Sequence, residues 1–164
     1  MEAHLNLGSN IGDRMANLSR AVALIEARLG VRARQSAPVR SEPWGYESAN
    51  AYINIGVEVS LPDTTDPLRL LAELQKVERE ISPAAHRKPD GTYADRVIDI
   101  DIIAIDSVVS DDPRLILPHP RMHLRRFVLE PLAELRPQWL HPRLGLTVRQ
   151  LLDACDHGSL GAES

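Results

Sequence analysis

The sequence is poor in cysteine and in aromatic side chains. Cys155 is the single cysteine among 164 residues, which excludes an internal disulfide framework and a cysteine-cluster zinc site. It reads as a small, semi-buried apolar residue. Aromatics make up 4% of the chain and Phe127 is its only phenylalanine, so the core has to rest on Leu, Ile, Val and Ala. Positive charge is not in excess either: 19 Lys and Arg face 23 Asp and Glu, for a formal net charge of −4. That balance disfavours a general nucleic-acid surface and a polybasic membrane anchor, and an anionic ligand needs a local basic site. No window approaches the roughly 18 apolar residues of a membrane-spanning helix. Met1-Glu2-Ala3-His4 lacks a basic region leading into an apolar stretch, and the expectation is a cytoplasmic protein.

With 43% hydrophobic and 26% charged residues, the length fits one domain of ordinary composition. Ala3 to Leu7 reads as a short strand ended by Gly8-Ser9-Asn10. Asp13 then precedes Met15, Leu18, Val22, Ile25 and Leu29, spaced as one face of a helix that Gly30 stops. Val31 to Val39 predicts a second strand, and Tyr52 to Leu61 a third. Asp66 is a candidate N-cap with Pro67 at the first helical position, and Leu68, Leu71, Leu74, Val77 and Ile81 continue a helical stripe. The polar segment Ser82 to Ala94 predicts a long loop of the kind that often carries function. Val97 to Ile105 is the strongest strand signal and is expected at the centre of a sheet. Helices near Arg125 to Leu135 and Val148 to Ala154 follow, and the end from Gly158 reads as frayed. No repeat, low-complexity tract or linker interrupts this mixture, which points to a single α+β domain.

Most chemical content lies in Asp99 and Asp101. Alternation along a strand sends both carboxylates to one face, while Ile98, Ile100 and Ile102 take the other. Two carboxylates roughly 6 to 7 Å apart by the strand repeat repel unless cations lie between them, and hard oxygen ligands suit Mg²⁺. A half-exposed edge strand alternates in the same way, so the pattern alone does not separate the two readings. Around the pair, Arg87, Lys88, Arg96, Arg114, His119, Arg121, Arg125 and Arg126 offer groups suited to phosphate, and a solvated mixed-charge surface is the other reading of the same composition. Gly8-Ser9-Asn10 lacks both the Gly-Lys ending of a P-loop and a dinucleotide fingerprint, and reads as a tight turn. Tyr52, Asn54 and the loop Ser41 to Tyr46 offer aromatic and polar groups for a flat heterocycle, with Phe127 as a second stacking face; singly, such aromatics are more often core residues.

Four segments together carry a resemblance: Leu5 to Asp13, Tyr52-Ile53-Asn54, Arg96-Val97-Ile98-Asp99-Ile100-Asp101, and Pro118-His119-Pro120-Arg121-Met122-His123 running on to Leu132. In order and spacing the chain, from Leu5 to about Leu152, resembles the 6-hydroxymethyl-7,8-dihydropterin pyrophosphokinases of folate biosynthesis. The resemblance implies a three-layer α/β/α domain of ferredoxin-like character with an antiparallel-rich sheet, spanning residues 1–157. It also implies transfer of a diphosphate from ATP to a pterin alcohol, by in-line attack of the hydroxymethyl oxygen on the β-phosphorus, with no protein nucleophile. On this basis Asp99 and Asp101 match the ligands of two Mg²⁺ ions. Arg96, His119 and Arg125 match phosphate contacts. Ile102, Arg114, Leu115 and Ile116 match the adenosine side, and Leu71, Gln75 and Glu78 further nucleotide-side positions. Tyr52 and Phe127 match the two faces that stack on the pterin, while Gly8, Ser41, Glu42, Trp44 and Asn54 match its polar surround. The partners implied are ATP and the pterin alcohol, with no nucleic acid, no membrane and a monomeric state.

The chain departs from the family pattern in one loop. It carries Ala84-Ala85-His86-Arg87-Lys88 and Tyr93-Ala94-Asp95-Arg96 where many members have a Gly-Arg-x-Arg run and a Trp-Gly-Pro-Arg ending. Arg87 or Lys88 is then the substitute for a phosphate-binding arginine. Pro120 stands where some members have an aromatic residue. A non-catalytic pterin- or nucleotide-binding module is the rival from another class, and a metal-dependent phosphohydrolase a third. Paired stacking aromatics argue against the last.

Overall fold

Asp13 and Asp66 start helices for the same physical reason. In the computed structural model, which describes residues 1–41, 51–82 and 97–156, Asp13 Oδ1 accepts from Ala16 N at 3.1 Å and Asp66 Oδ1 from Leu68 N at 3.0 Å. Each carboxylate satisfies an amide that the first helical turn leaves open. The two helices are α1 (Arg14–Leu29) and α2 (Pro67–Ile81). Leu18, Ala21, Val22 and Ile25 of α1 and Leu70, Leu74, Val77 and Ile81 of α2 are buried against one face of a sheet. Each such leucine, isoleucine or valine contributes about 2 kcal/mol.

The sheet comprises β1 (Glu2–Ser9), β2 (Ala33–Gln35), β3 (Val39–Ser41), β4 (Tyr52–Ser60) and β5 (Asp99–Ile105). Its order is β2-β4-β1-β5, with β3 also on β4, and every pairing is antiparallel. The units β1-α1-β2 and β4-α2-β5 therefore interleave, the arrangement of a ferredoxin-like sheet. On the opposite face lie α3 (Arg126–Leu135) and α4 (Val148–Asp156), which complete three layers. The fold is α+β, as expected.

Two expectations need correction. The strand read as Val31 to Val39 is two short strands, because Pro38 has no amide to give the ladder. Between them Ser36 keeps the edge closed, its N–H donating to Gly56 O at 2.9 Å and its Oγ accepting from Gly56 N at 2.8 Å.

The Ile-rich strand β5 is at the edge of the sheet and not at its centre. It is apolar because both of its faces are covered over most of its length. A register shift opposite His4/Leu5 assigns Ile103 and Ala104 to the α3/α4 cluster, while Ile98, Ile100, Ile102 and Ile105 join the α1/α2 core. Its open side is also capped: Ile100 N donates to Glu78 Oε2 at 2.8 Å, and Ile103 O accepts from His119 N at 2.8 Å. Both contacts occupy ladder groups that an added strand would need. The predicted loop Ser82 to Ala94 falls, beyond Ser82, outside the described residues, as does the tail from residue 157.

Candidate active site

The α3/α4 face of the sheet divides into a covered end and an open end. At the covered end α3 comes so close that a Cβ on Gly56 would sit 2.7 Å from Pro131 Cβ. There His4 and Glu58 are buried together, Nδ1 to Oε2 at 2.7 Å. At the other end the rungs run Asp99–Gly8–Asn54–Val39 and Asp101–Asn6–Gly56. Partners across a ladder share a face, so Asp99, Asp101, Asn6 and Asn54 are brought together on the side away from α1 and α2. Asp99, Asp101 and Tyr52 remain half-exposed while Asn6 and Asn54 are buried.

Asn54 is held by its own strands. Its Nδ2 donates to Ser41 Oγ at 2.7 Å and Val39 O at 3.2 Å, and its Oδ1 accepts from Asn6 Nδ2 at 3.5 Å. Gly8 lies directly beneath, where a Cβ would meet Asn54 Oδ1 at 3.0 Å and the Tyr52 ring at 3.2 Å. Gly8→Ala therefore displaces both side chains by a few tenths of an ångström. The resemblance puts Gly8 beside the pterin, and on that reading steady-state kinetics are expected to show a roughly tenfold higher KM for the pterin, with the KM for ATP little changed. The Gly8-Ser9-Asn10 segment is the end of β1 followed by a turn, which matches the turn reading and not a P-loop.

Beyond the edge of β5, the 3-10 turn Met122–Leu124 leads into α3 and places a second group of residues. The guanidinium of Arg125 lies over the Phe127 ring, 5.8 Å from its centroid. Phe127 is half-buried and packs against the α3/α4 cluster, so it belongs partly to the core. His119 follows the cis Leu117–Pro118 bond. Burial, with Arg125 and then Arg121 adding positive charge, pushes its pKa from 6.5 down to about 4. Its Nδ1 accepts from Arg121 N at 3.2 Å, which leaves the proton of the neutral ring on Nε2, as a donor suited to a phosphate oxygen.

His141, only 3% exposed, is likewise depressed to about 4, by burial first and then by His123 and Arg143. Both rings are neutral in the folded chain and titrate near 6.5 when unfolded. Stability is therefore complete above pH 6.5 and is lost as pH falls from 6.5 towards 4. Urea unfolding at pH 5 compared with pH 7.5 is expected to show a loss of about 1 to 2 kcal/mol for each histidine.

Of the residues expected on the nucleotide side, Leu71 packs against the core, Gln75 is exposed, and Glu78 reaches the β5 edge through Ile100 N. The Ile102 side chain is buried in the α1/α2 core. Arg114 is exposed and folds onto Asp112, with Nη2 to Oδ2 at 2.7 Å and Nε to Oδ1 at 3.0 Å. That pair holds the Asp112 carboxyl down at about 2. Ile116 is 39% exposed, and Leu115 lines a pocket of about 200 Å³ between the start of α2 and residues 108–117. Arg96, Arg87, Lys88, Glu42 and Trp44 lie outside the described residues.

Among the described residues no group of three or more His, Cys, Asp or Glu side chains is placed to hold a metal ion. Two half-exposed carboxylates on one face still fit Mg²⁺, which takes one or two carboxylates and completes its shell with water and substrate phosphates. No helix among the described residues is long and apolar enough to cross a membrane.

Comparison with known proteins gives the family. Residues 4–137 match the model of the 7,8-dihydro-6-hydroxymethylpterin-pyrophosphokinase (HPPK) family. The chain belongs to that family. It is 40% identical over 141 residues to the 2-amino-4-hydroxy-6-hydroxymethyldihydropteridine pyrophosphokinase of Porphyromonas gingivalis, covering 85% of this chain and 92% of the other. To the enzyme of that name from Methylorubrum extorquens it is 37% identical over 155 residues, 94% of this chain and 93% of the other. Among solved structures, Plasmodium falciparum HPPK-DHPS matches with a TM-score of 0.67 at 16% identity, over 96% of this chain and 45% of that one. This last likeness shows the fold.

Proposed function

We infer that the chain transfers the diphosphate of ATP to the hydroxymethyl group of 6-hydroxymethyl-7,8-dihydropterin, releasing AMP, in folate synthesis. Membership of the HPPK family supports the reaction. The observation that carries the placement of the site is the open end of the sheet face, where the Asp99 and Asp101 rungs lie beside Asn54 and Gly8.

The pterin lies between Tyr52 and Phe127, with Gly8, Ser41, Glu42, Trp44 and Asn54 around its polar edge. Because the amide nitrogen of Asn54 is committed to β3, its contribution to the pterin is through Oδ1. ATP lies along the β5 edge with its phosphates bound by Arg96, His119 and Arg125, and Arg87 or Lys88 adds charge. Its adenosine lies against Ile102, Arg114, Leu115 and Ile116, with Leu71, Gln75 and Glu78 alongside. Asp99 and Asp101 hold two Mg²⁺, which supply charge neutralisation at the triphosphate.

The substrate hydroxyl oxygen forms a bond to the β-phosphorus as the bond from that phosphorus to the α–β bridging oxygen breaks, and the hydroxyl proton is released to water. AMP takes that oxygen. Arg125 and the Nε2–H of His119 stabilise charge on the transferred group, and the protein contributes position and electrostatics rather than a nucleophile. The catalytic domain comprises residues 1–157 and acts as a cytoplasmic monomer.

The test is product analysis with ATP, Mg²⁺ and the pterin alcohol. AMP and a pterin diphosphate in equal amounts are expected. ADP as the nucleotide product contradicts diphosphate transfer, and ATP turnover without pterin points to a phosphohydrolase.

A further inference from the structure

The segment from Ser110 to Leu117 is closed at its neck. Ser110 N donates to Leu117 O and Leu117 N to Ser110 O, both at 3.0 Å. A side chain from the α3–α4 connection fastens this neck from outside. Arg143 Nη2 donates to Ser110 O at 2.9 Å and Leu117 O at 3.1 Å, its Nε donates to Leu117 O at 3.3 Å, and Nη2 also meets Asp111 Oδ1 at 2.8 Å. One planar guanidinium thus engages both carbonyls of the bridge, a role its fixed fork suits and a lysine cannot reproduce.

Arg143 is itself held in place. His141 Nδ1 accepts from Arg143 N at 3.2 Å and from Leu144 N at 3.1 Å, and His141 O accepts from Gly145 N at 2.8 Å. The turn is wrapped around a buried ring. At the other end of the fastening, Ser110 and Leu117 both line the 200 Å³ pocket beside α2. Leu117 runs directly into Pro118 and His119, while Arg114, Leu115 and Ile116 lie within the loop so closed.

We propose that Arg143 is a positioning residue for the nucleotide: by clamping the neck of the 110–117 loop it sets the walls that receive ATP, without touching the reacting groups. This rests on reading that loop as the adenosine side of the site. Asp111, at 84% side-chain exposure, adds little, because an exposed ion pair is screened by water.

The experiment measures KM for ATP, KM for the pterin and kcat in Arg143→Ala, Arg143→Lys, Asp111→Asn and Arg114→Ala. Arg143→Ala is expected to raise the KM for ATP roughly tenfold, with kcat at saturating ATP and the KM for pterin within about twofold. Arg143→Lys is expected to fall between it and the parent, and Asp111→Asn to stay within about twofold of the parent. Should the alanine variant fail to fold, the lysine variant carries the test. An unchanged KM for ATP in the Arg143 variants overturns the clamp, as does an equal rise in both KM values, the mark of general loosening. Arg114→Ala separates the two levels: if it too leaves the KM for ATP unchanged, the adenosine placement fails. If it alone raises that KM, only the clamp fails.

Discussion

Replacing Asp101 by alanine is expected to lower turnover by about three orders of magnitude while leaving the chain folded. The reason is its position. Asp101 pairs with Asn6 across β1–β5 and is half-exposed, outside both hydrophobic clusters. Its loss therefore opens no apolar cavity, and the melting temperature is expected to move by only a few degrees or less, about the shift that 1 kcal/mol produces. In the proposed site, what disappears is one of the two carboxylates that would hold the metal ions. Asp101→Asn keeps the shape of the side chain and removes the charge, and an equal loss of turnover is expected from it. Partial recovery at high Mg²⁺ distinguishes weakened metal binding from a misplaced strand. Turnover within tenfold of the parent refutes the assignment.

Arg125→Ala is expected to reduce kcat about a hundredfold, with a smaller rise in the KM for ATP. Arg125 stands between the 3-10 turn and α3, and its carbonyl accepts from Val128 N and Leu129 N, both at 3.0 Å. The backbone at this point is fixed by the helix that follows, so the substitution removes a charge and leaves the geometry. In the proposed site, negative charge shifts as the β-phosphorus changes partners, and the Arg125 guanidinium would act more strongly in the transition state than on bound ATP. Arg125→Lys retains the charge without the forked donors and is expected to recover only part of the rate. Because Arg125 also covers the Phe127 ring, a rise of a few fold in the KM for pterin accompanies the loss. A change confined to KM, with kcat intact, contradicts a transition-state role.

Local chemistry made much of this legible beforehand. Asp13, Asp66 and Pro67 mark helix starts through contacts within three residues, and alternation alone puts Asp99 and Asp101 on one face. The edge position of β5 was not legible. An Ile-rich run reports that both faces are covered, and it does not report what occupies the edge. Here Glu78, 22 residues away, and the His119 amide do so. The split of β2 from β3 was signalled by Pro38, whose missing amide is a local property.

In the site, the tautomer of His119 depends on a turn that only the folded backbone forms. The resemblance assigns Phe127 to a face of the pterin, and the folded chain packs its half-buried ring against the second cluster. Arg143 gave no signal, because its carbonyl partners lie 26 and 33 residues earlier in the chain and any backbone can offer such groups.

The most direct test of the carboxylate pair as the metal-binding centre is a Mn²⁺ titration followed by electron paramagnetic resonance, with a non-transferable ATP analogue and the pterin bound. The parent chain is expected to hold two Mn²⁺ and Asp101→Ala to lose at least one of them. An unchanged count and affinity in that variant would place the metals, and with them the transfer of the diphosphate, away from Asp99 and Asp101.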